Sequence, residues 1–115
     1  GFRVTLGNRQ TNMHSVWDAD VVRALGRNAA TVASGLEADM SAAKLQTWQS
    51  GNAASWANET FQIASREIYS TPSSTDGRSP TILPQDYAER NREIAQEQLE
   101  KAGVRLAMIL NMALR

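Results

Sequence analysis

The C-terminal stretch 85–114 of this 115-residue chain reads as one long helix, and its character changes along its length. Pro84 and Asp86 stand at its start, where a fixed φ and an acidic side chain suit a helix N-terminus. Ala95, Leu99, Ala102, Leu106, Ile109 and Ala113 recur at helical spacing, which places Glu89, Arg90, Arg92, Glu93, Glu97 and Glu100 in water. Further on the polar face is lost: Val104, Leu106, Ala107, Met108, Ile109, Leu110, Met112 and Leu114 surround the axis. A helix apolar all round is buried all round. A chain this short offers little to bury it, so another stretch of polypeptide or a partner is expected to cover it. Gly1, in place of Met and leading directly into a strand, points the same way, to a processed product or a fragment.

The length sets a ceiling of one ordinary domain. A hydrophobic fraction of 42% and a charged fraction of 21% are globular values and argue against wholesale disorder. Twelve basic residues balance twelve acidic ones, which excludes nucleic-acid binding by bulk charge alone. No apolar run is long enough for a membrane span. With no Cys, disulfides and thiolate metal sites are excluded, and one His is a poor endowment for a metalloenzyme.

The fold class expected is mainly α, an N-terminal β-hairpin followed by a helical bundle. Residues 2–12 carry the hairpin: Phe2, Val4 and Leu6 alternate with Arg3 and Thr5, and Gly7-Asn8 suits a two-residue turn. Helices are expected over about 13–25, with Trp17, Val21 and Leu25 on one stripe, and over 29–40, with Val32 and Leu36 inward. A short piece, Lys44 to Trp48, follows. Residues 53–70 form a further helix with Ala57, Phe61, Ala64 and Ile68 on one face. Residues 71–84 hold all three prolines (Pro72, Pro80 and Pro84) with Gly77 and a cluster of Ser and Thr, and read as a solvated surface loop.

Candidate chemistry centres on the only histidine. His14 and Asp18 are four apart, so a helix places both on one face, one turn apart. An imidazole nitrogen and a carboxylate at that spacing can close on one zinc ion. A plain hydrogen-bonded pair explains the spacing equally well, and two ligands are one short of the usual catalytic set. Arg3 and Arg9 could meet phosphates, though solvated strand positions are the commoner role. Trp48 and Trp56 could stack on bases, but at helical positions they read as core.

Taken together, three blocks are more specific. Asn12-Met13-His14-Ser15-Val16-Trp17-Asp18 resembles the Asn-Leu-His-x-Val-Trp-Asp motif of the zinc-dependent single-strand-specific nucleases, the fungal and plant type I nuclease/3′-nucleotidase enzymes and their bacterial relatives. Trp48, Gly51, Trp56-Ala57-Asn58-Glu59-Thr60, Ala64 and Tyr69 resemble that family's Trp-Ala-x-Glu-Ser block. Gln98 to Ala107, with Leu110 and Asn111, resembles its C-terminal helix. The blocks occur in family order and span essentially the whole chain.

The resemblance implies the C-terminal part of a phospholipase C/zinc-nuclease-like fold, with three zinc ions at the bottom of a cleft. It implies that His14 and Asp18 bind the same zinc. The other ligands, including an N-terminal amino group and further His and Asp residues, would come from an upstream part absent from this chain, for which a separate chain is one form. The substrates implied are single-stranded DNA or RNA and nucleotides, in a secreted or periplasmic setting and without a membrane. A phosphodiester is anionic, and clustered zinc ions neutralise it, activate water and stabilise the leaving oxygen. His14 and Asp18 would fix an ion and would not act as general acid or base. No catalytic or substrate-binding residue is identified. Two departures from the family pattern stand out: Ala19 follows Asp18 where relatives often carry a polar residue, and Thr60 replaces Ser. The competing readings are a non-catalytic, truncated helical interaction module and a related zinc phospholipase C-like phosphoesterase acting on lipids.

Overall fold

The computed structural model describes residues 2–70 and 78–115. Strands β1 (Arg3–Leu6) and β2 (Arg9–Asn12) pair antiparallel, with Leu6 opposite Arg9 across the turn. Gly7 takes φ +59°, a left-handed conformation that glycine adopts without a Cβ penalty. The period-2 alternation has the expected consequence: Val4 is fully buried and Arg3 exposed.

Within the segment expected as a loop, Thr81–Leu83 forms a strand, β3, parallel to β1 on the edge opposite β2. This corrects the reading of 71–84 as a solvated excursion. Thr81 and Leu83 are buried and Ile82 points to solvent, the alternation of a half-buried strand. Residues 71–77 of that expected loop lie outside the described residues.

The helix expected at 13–25 runs as α1 (Met13–Ser15), a π-helical turn at Val16–Val21, and α2 (Val22–Leu25). Three further helices follow: α3 (Ala29–Ala38), α4 (Ala42–Trp48) and α5 (Ala53–Ile63). Asn28, Ser41 and Asn52 cap them, each accepting a backbone N–H from three residues on. Asn52 and Ser55 form a reciprocal capping box. The last of these helices runs on into a second π turn, Ala64–Ile68. The C-terminal stretch is two helices, α6 (Tyr87–Arg90) and α7 (Arg92–Ala113), where one was expected. The break falls at Asn91, whose side chain donates to the Tyr87 carbonyl at 2.8 Å.

The apolar core gathers Val4, Met13, Val16, Val21, Leu83, Tyr87 and Ala95 from the sheet, the first helical run and the start of the terminal helices. By contrast charged and polar side chains link α4 and α5 to α7. Glu100, expected in water, has a side chain only 1% exposed, and Lys101 beside it is buried too. The stripe expected on the terminal helix is rotated accordingly: Ala95, Glu100, Lys101 and Val104 are buried, while Leu106, Ile109 and Leu110 are exposed. Phe61 on α5 is exposed as well. The radius of gyration, 16.3 Å, exceeds the roughly 13 Å of a compact chain this long. Among the described residues no helix is long and apolar enough to cross a membrane.

Candidate metal centre

The hairpin delivers the His14 motif. Its last residue, Asn12, is in extended conformation, and its side chain accepts the Ser15 N–H at 2.9 Å, which starts the helix. The Met13 N–H donates to the Phe2 carbonyl at 2.9 Å and ties that start to β1. From this fixed origin the helix buries Met13, Val16 and Val21 and turns His14 and Asp18 outward. A π turn is a wider loop of backbone than an α turn, common at functional sites, and Asp18 lies inside it.

His14 Nε2 lies 2.9 Å from Asp18 Oδ2, and both side chains are well exposed. Two donors on one tetrahedral zinc, each about 2.0–2.2 Å from the ion, stand about 3.3 Å apart. The pair therefore fits as two of a metal's ligands after opening by a few tenths of an ångström. It does not by itself make a complete site, because among the described residues no group of three or more His, Asp or Glu side chains could hold a metal.

Beside Asp18 runs an apolar groove of about 600 Å³, with Ala19, Val22, Val32 and Leu36 along it and Arg23 at its rim. Ala19, directly after Asp18, therefore lines apolar surface next to the pair.

The other sequence candidates are committed elsewhere. Arg9 pairs with Asp20 at 2.5 Å, and Arg3 donates to the Arg78 carbonyl. Trp48 is nearly buried, with Lys44 and Lys101 over its ring at 5.3 and 5.9 Å. Arg105 covers Trp56 at 5.2 Å, and the Trp56 indole N–H donates to the Ser50 carbonyl at 2.8 Å. These cations occupy ring faces on which a base would stack. Glu59, from the middle block, binds both Lys101 and Arg105 from the terminal block. Those hydrogen bonds, from Lys101 first, hold the Glu59 carboxyl below its usual pKa against the opposing effect of burial.

Tyr87 was not among the residues singled out from sequence. It is buried beneath the motif, with its ring edge-on to Trp17 at 6.5 Å. The Trp17 indole N–H donates to its hydroxyl at 3.2 Å. The one available signal was Trp17 itself, since an indole N–H placed against a core needs an acceptor.

The architecture, mainly helical with a small three-stranded sheet, is consistent with a phospholipase C-like fold. The family model described as S1/P1 Nuclease matches residues 1–115, the whole chain, and the chain belongs to the S1/P1 nuclease family. That membership supports a nuclease-type, hydrolytic function with nucleic acid as substrate. Family members in general use zinc and are generally extracellular. No curated protein and no solved structure matches the chain.

Proposed function

We propose that this chain is the C-terminal segment of a single zinc-nuclease domain, a zinc-dependent endonuclease/3′-nucleotidase that hydrolyses phosphodiester bonds of single-stranded DNA or RNA. The observation that carries the reading is the 2.9 Å approach of His14 Nε2 to Asp18 Oδ2 on an exposed helix face, in a chain of the S1/P1 nuclease family. His14 and Asp18 would hold one ion of a three-zinc cluster, with the remaining ligands supplied by an N-terminal part of the same protein. Zinc bound there would supply Lewis acidity toward the anionic phosphodiester and toward water. His14 would contribute an imidazole nitrogen and Asp18 a carboxylate oxygen, donor types that zinc accepts. Neither would act as general acid or base in this role.

The exposed Leu106, Ile109, Leu110, Met112 and Leu114 of α7 support the second element of the proposal, a further stretch of polypeptide packed over this helix. The N-terminal part is the occupant proposed, in the same chain or as a separate one, and a secreted or periplasmic setting follows the family. The same exposed surface also suits a non-catalytic helical interaction module.

Elemental analysis of the intact protein separates the readings. The nuclease reading expects about three zinc ions per complex and hydrolysis of single-stranded DNA, both lowered in His14→Ala. Full activity and full zinc content in His14→Ala would remove His14 from the ligand set. A zinc-free, inactive but well-folded complex would favour the interaction module.

A further inference from the structure

The geometry points to Tyr87 as a positioning residue for the His14–Asp18 pair, acting through the two residues that immediately precede them. Met13 stands directly before His14 and Trp17 directly before Asp18. The Tyr87 hydroxyl accepts from Trp17 Nε1 at 3.2 Å and donates to Met13 Sδ at 3.5 Å. One buried hydroxyl thus grips both members of the stripe that neighbours the ligand stripe on the same helical run. A π turn has a backbone phase that regular α hydrogen bonding does not dictate, so side-chain contacts on its inner face decide where its outer face points.

Tyr87 is itself held by backbone on both sides. Its N–H donates to the Pro84 carbonyl at 3.0 Å, just beyond β3, and its carbonyl accepts from Asn91 at the helix break. Burial pushes the phenol pKa up, so the hydroxyl keeps its proton and remains a donor. The inference rests on the reading of His14 and Asp18 as zinc ligands and goes beyond it: their mutual approach is set from the core side by a residue outside the motif.

Tyr87→Phe tests it, since the ring and its edge-on contact with Trp17 are retained and only the hydroxyl is lost. Two readouts apply to the full chain. The first is zinc affinity by competition with a chromogenic chelator, expected to fall roughly 10-fold, the lower end of what loss of an orienting partner costs. The second needs no metal. His14 is the chain's only histidine, so its ring gives a single imidazole set in the NMR spectrum. In the metal-free Tyr87→Phe protein those signals should move toward their positions in Asp18→Asn, as the pair separates.

Val104→Ala removes buried apolar volume from α7 outside the core cluster that contains Met13 and Tyr87. It should leave both readouts in place. Equal losses in Val104→Ala and Tyr87→Phe would reduce Tyr87 to general support of the fold and overturn the inference. Wild-type readouts in Tyr87→Phe, with zinc affinity lost in His14→Ala, would also overturn it while the ligand pair stands. Wild-type affinity in His14→Ala would overturn the ligand reading and this inference with it.

Discussion

Lys44 Nζ lies 3.3 Å from Glu100 Oε2, an ion pair whose carboxylate is almost fully buried while its ammonium is about one-third exposed. The pair fastens α4 to α7. Gln96 adds a hydrogen bond to Glu100 at 3.0 Å, and Lys44 also pairs with Asp39. Removing one partner of a buried pair costs more than the pair contributes, because the other charge is left without compensation. Lys44→Ala should therefore lower the midpoint of urea unfolding. Glu100→Gln should cost less, since Lys44 can turn to Asp39 and water. Equal effects would show that Glu100 is solvated after all.

The charged contact of α5 with α7 has a defined pH window. The Glu59 and Asp39 carboxyls are held below their usual values of 4.5 and 3.8, chiefly by hydrogen bonds from Lys101 and Lys44 respectively. Their stabilising effect is fully present above the unfolded-state values and is lost as pH falls through the lower folded ones. Lys101 is the mirror case: burial pulls its ammonium down, but Glu59 and Glu97 outweigh that and raise it above 10.5. Its effect is present below that value and lost as pH rises through the higher folded one. Urea midpoints should hold steady between roughly pH 5 and pH 10 and fall on both sides. Glu59→Gln should flatten the acid limb. An acid limb unchanged in that variant would assign the acid sensitivity elsewhere.

Gly51 ends the α4–α5 connection with φ +92°, and a Cβ built there would lie 2.6 Å from Ser55 Oγ and 3.0 Å from Trp56 Nε1. Gly51→Ala therefore combines backbone strain with a clash at the capping box. A loss of about 1–2 kcal/mol from the left-handed conformation alone is expected, measurable as a lower midpoint in urea. A neutral result would mean that the turn relaxes without disturbing α5.

Elements set by local pattern could be read from the sequence, and those set by distant contacts could not. The hairpin follows from Phe2, Val4, Leu6 and Gly7, because strand alternation and turn chemistry are local. The His14–Asp18 pair follows from a spacing of four. In contrast, Thr81-Ile82-Leu83 alternates correctly but is only three residues long between Pro80 and Pro84, too short to show its period. Helical spacing sorts residues by polarity and so puts Glu100 in water, yet both it and its neighbour Lys101 are buried. Their burial depends on Lys44 and Glu59, which reach them from other helices. The Tyr87 hydroxyl meets Trp17 and Met13 across most of the chain, a contact with no trace in any local window.

The parallel pairing of β3 with β1 also bears on the order in which this molecule can assemble. Val4 faces Thr81 and Leu6 faces Leu83, so the central strand gains its second neighbour from the far side of five helices. Bringing such distant segments together carries a loop-closure cost that no local contact offsets beforehand, and folds rich in such pairings form slowly. During synthesis the hairpin must therefore wait, with one edge of β1 unpaired, until residues 81–83 have emerged. Until then this stretch is a natural target for chaperones and proteases, and the last third of the chain decides when that exposure ends.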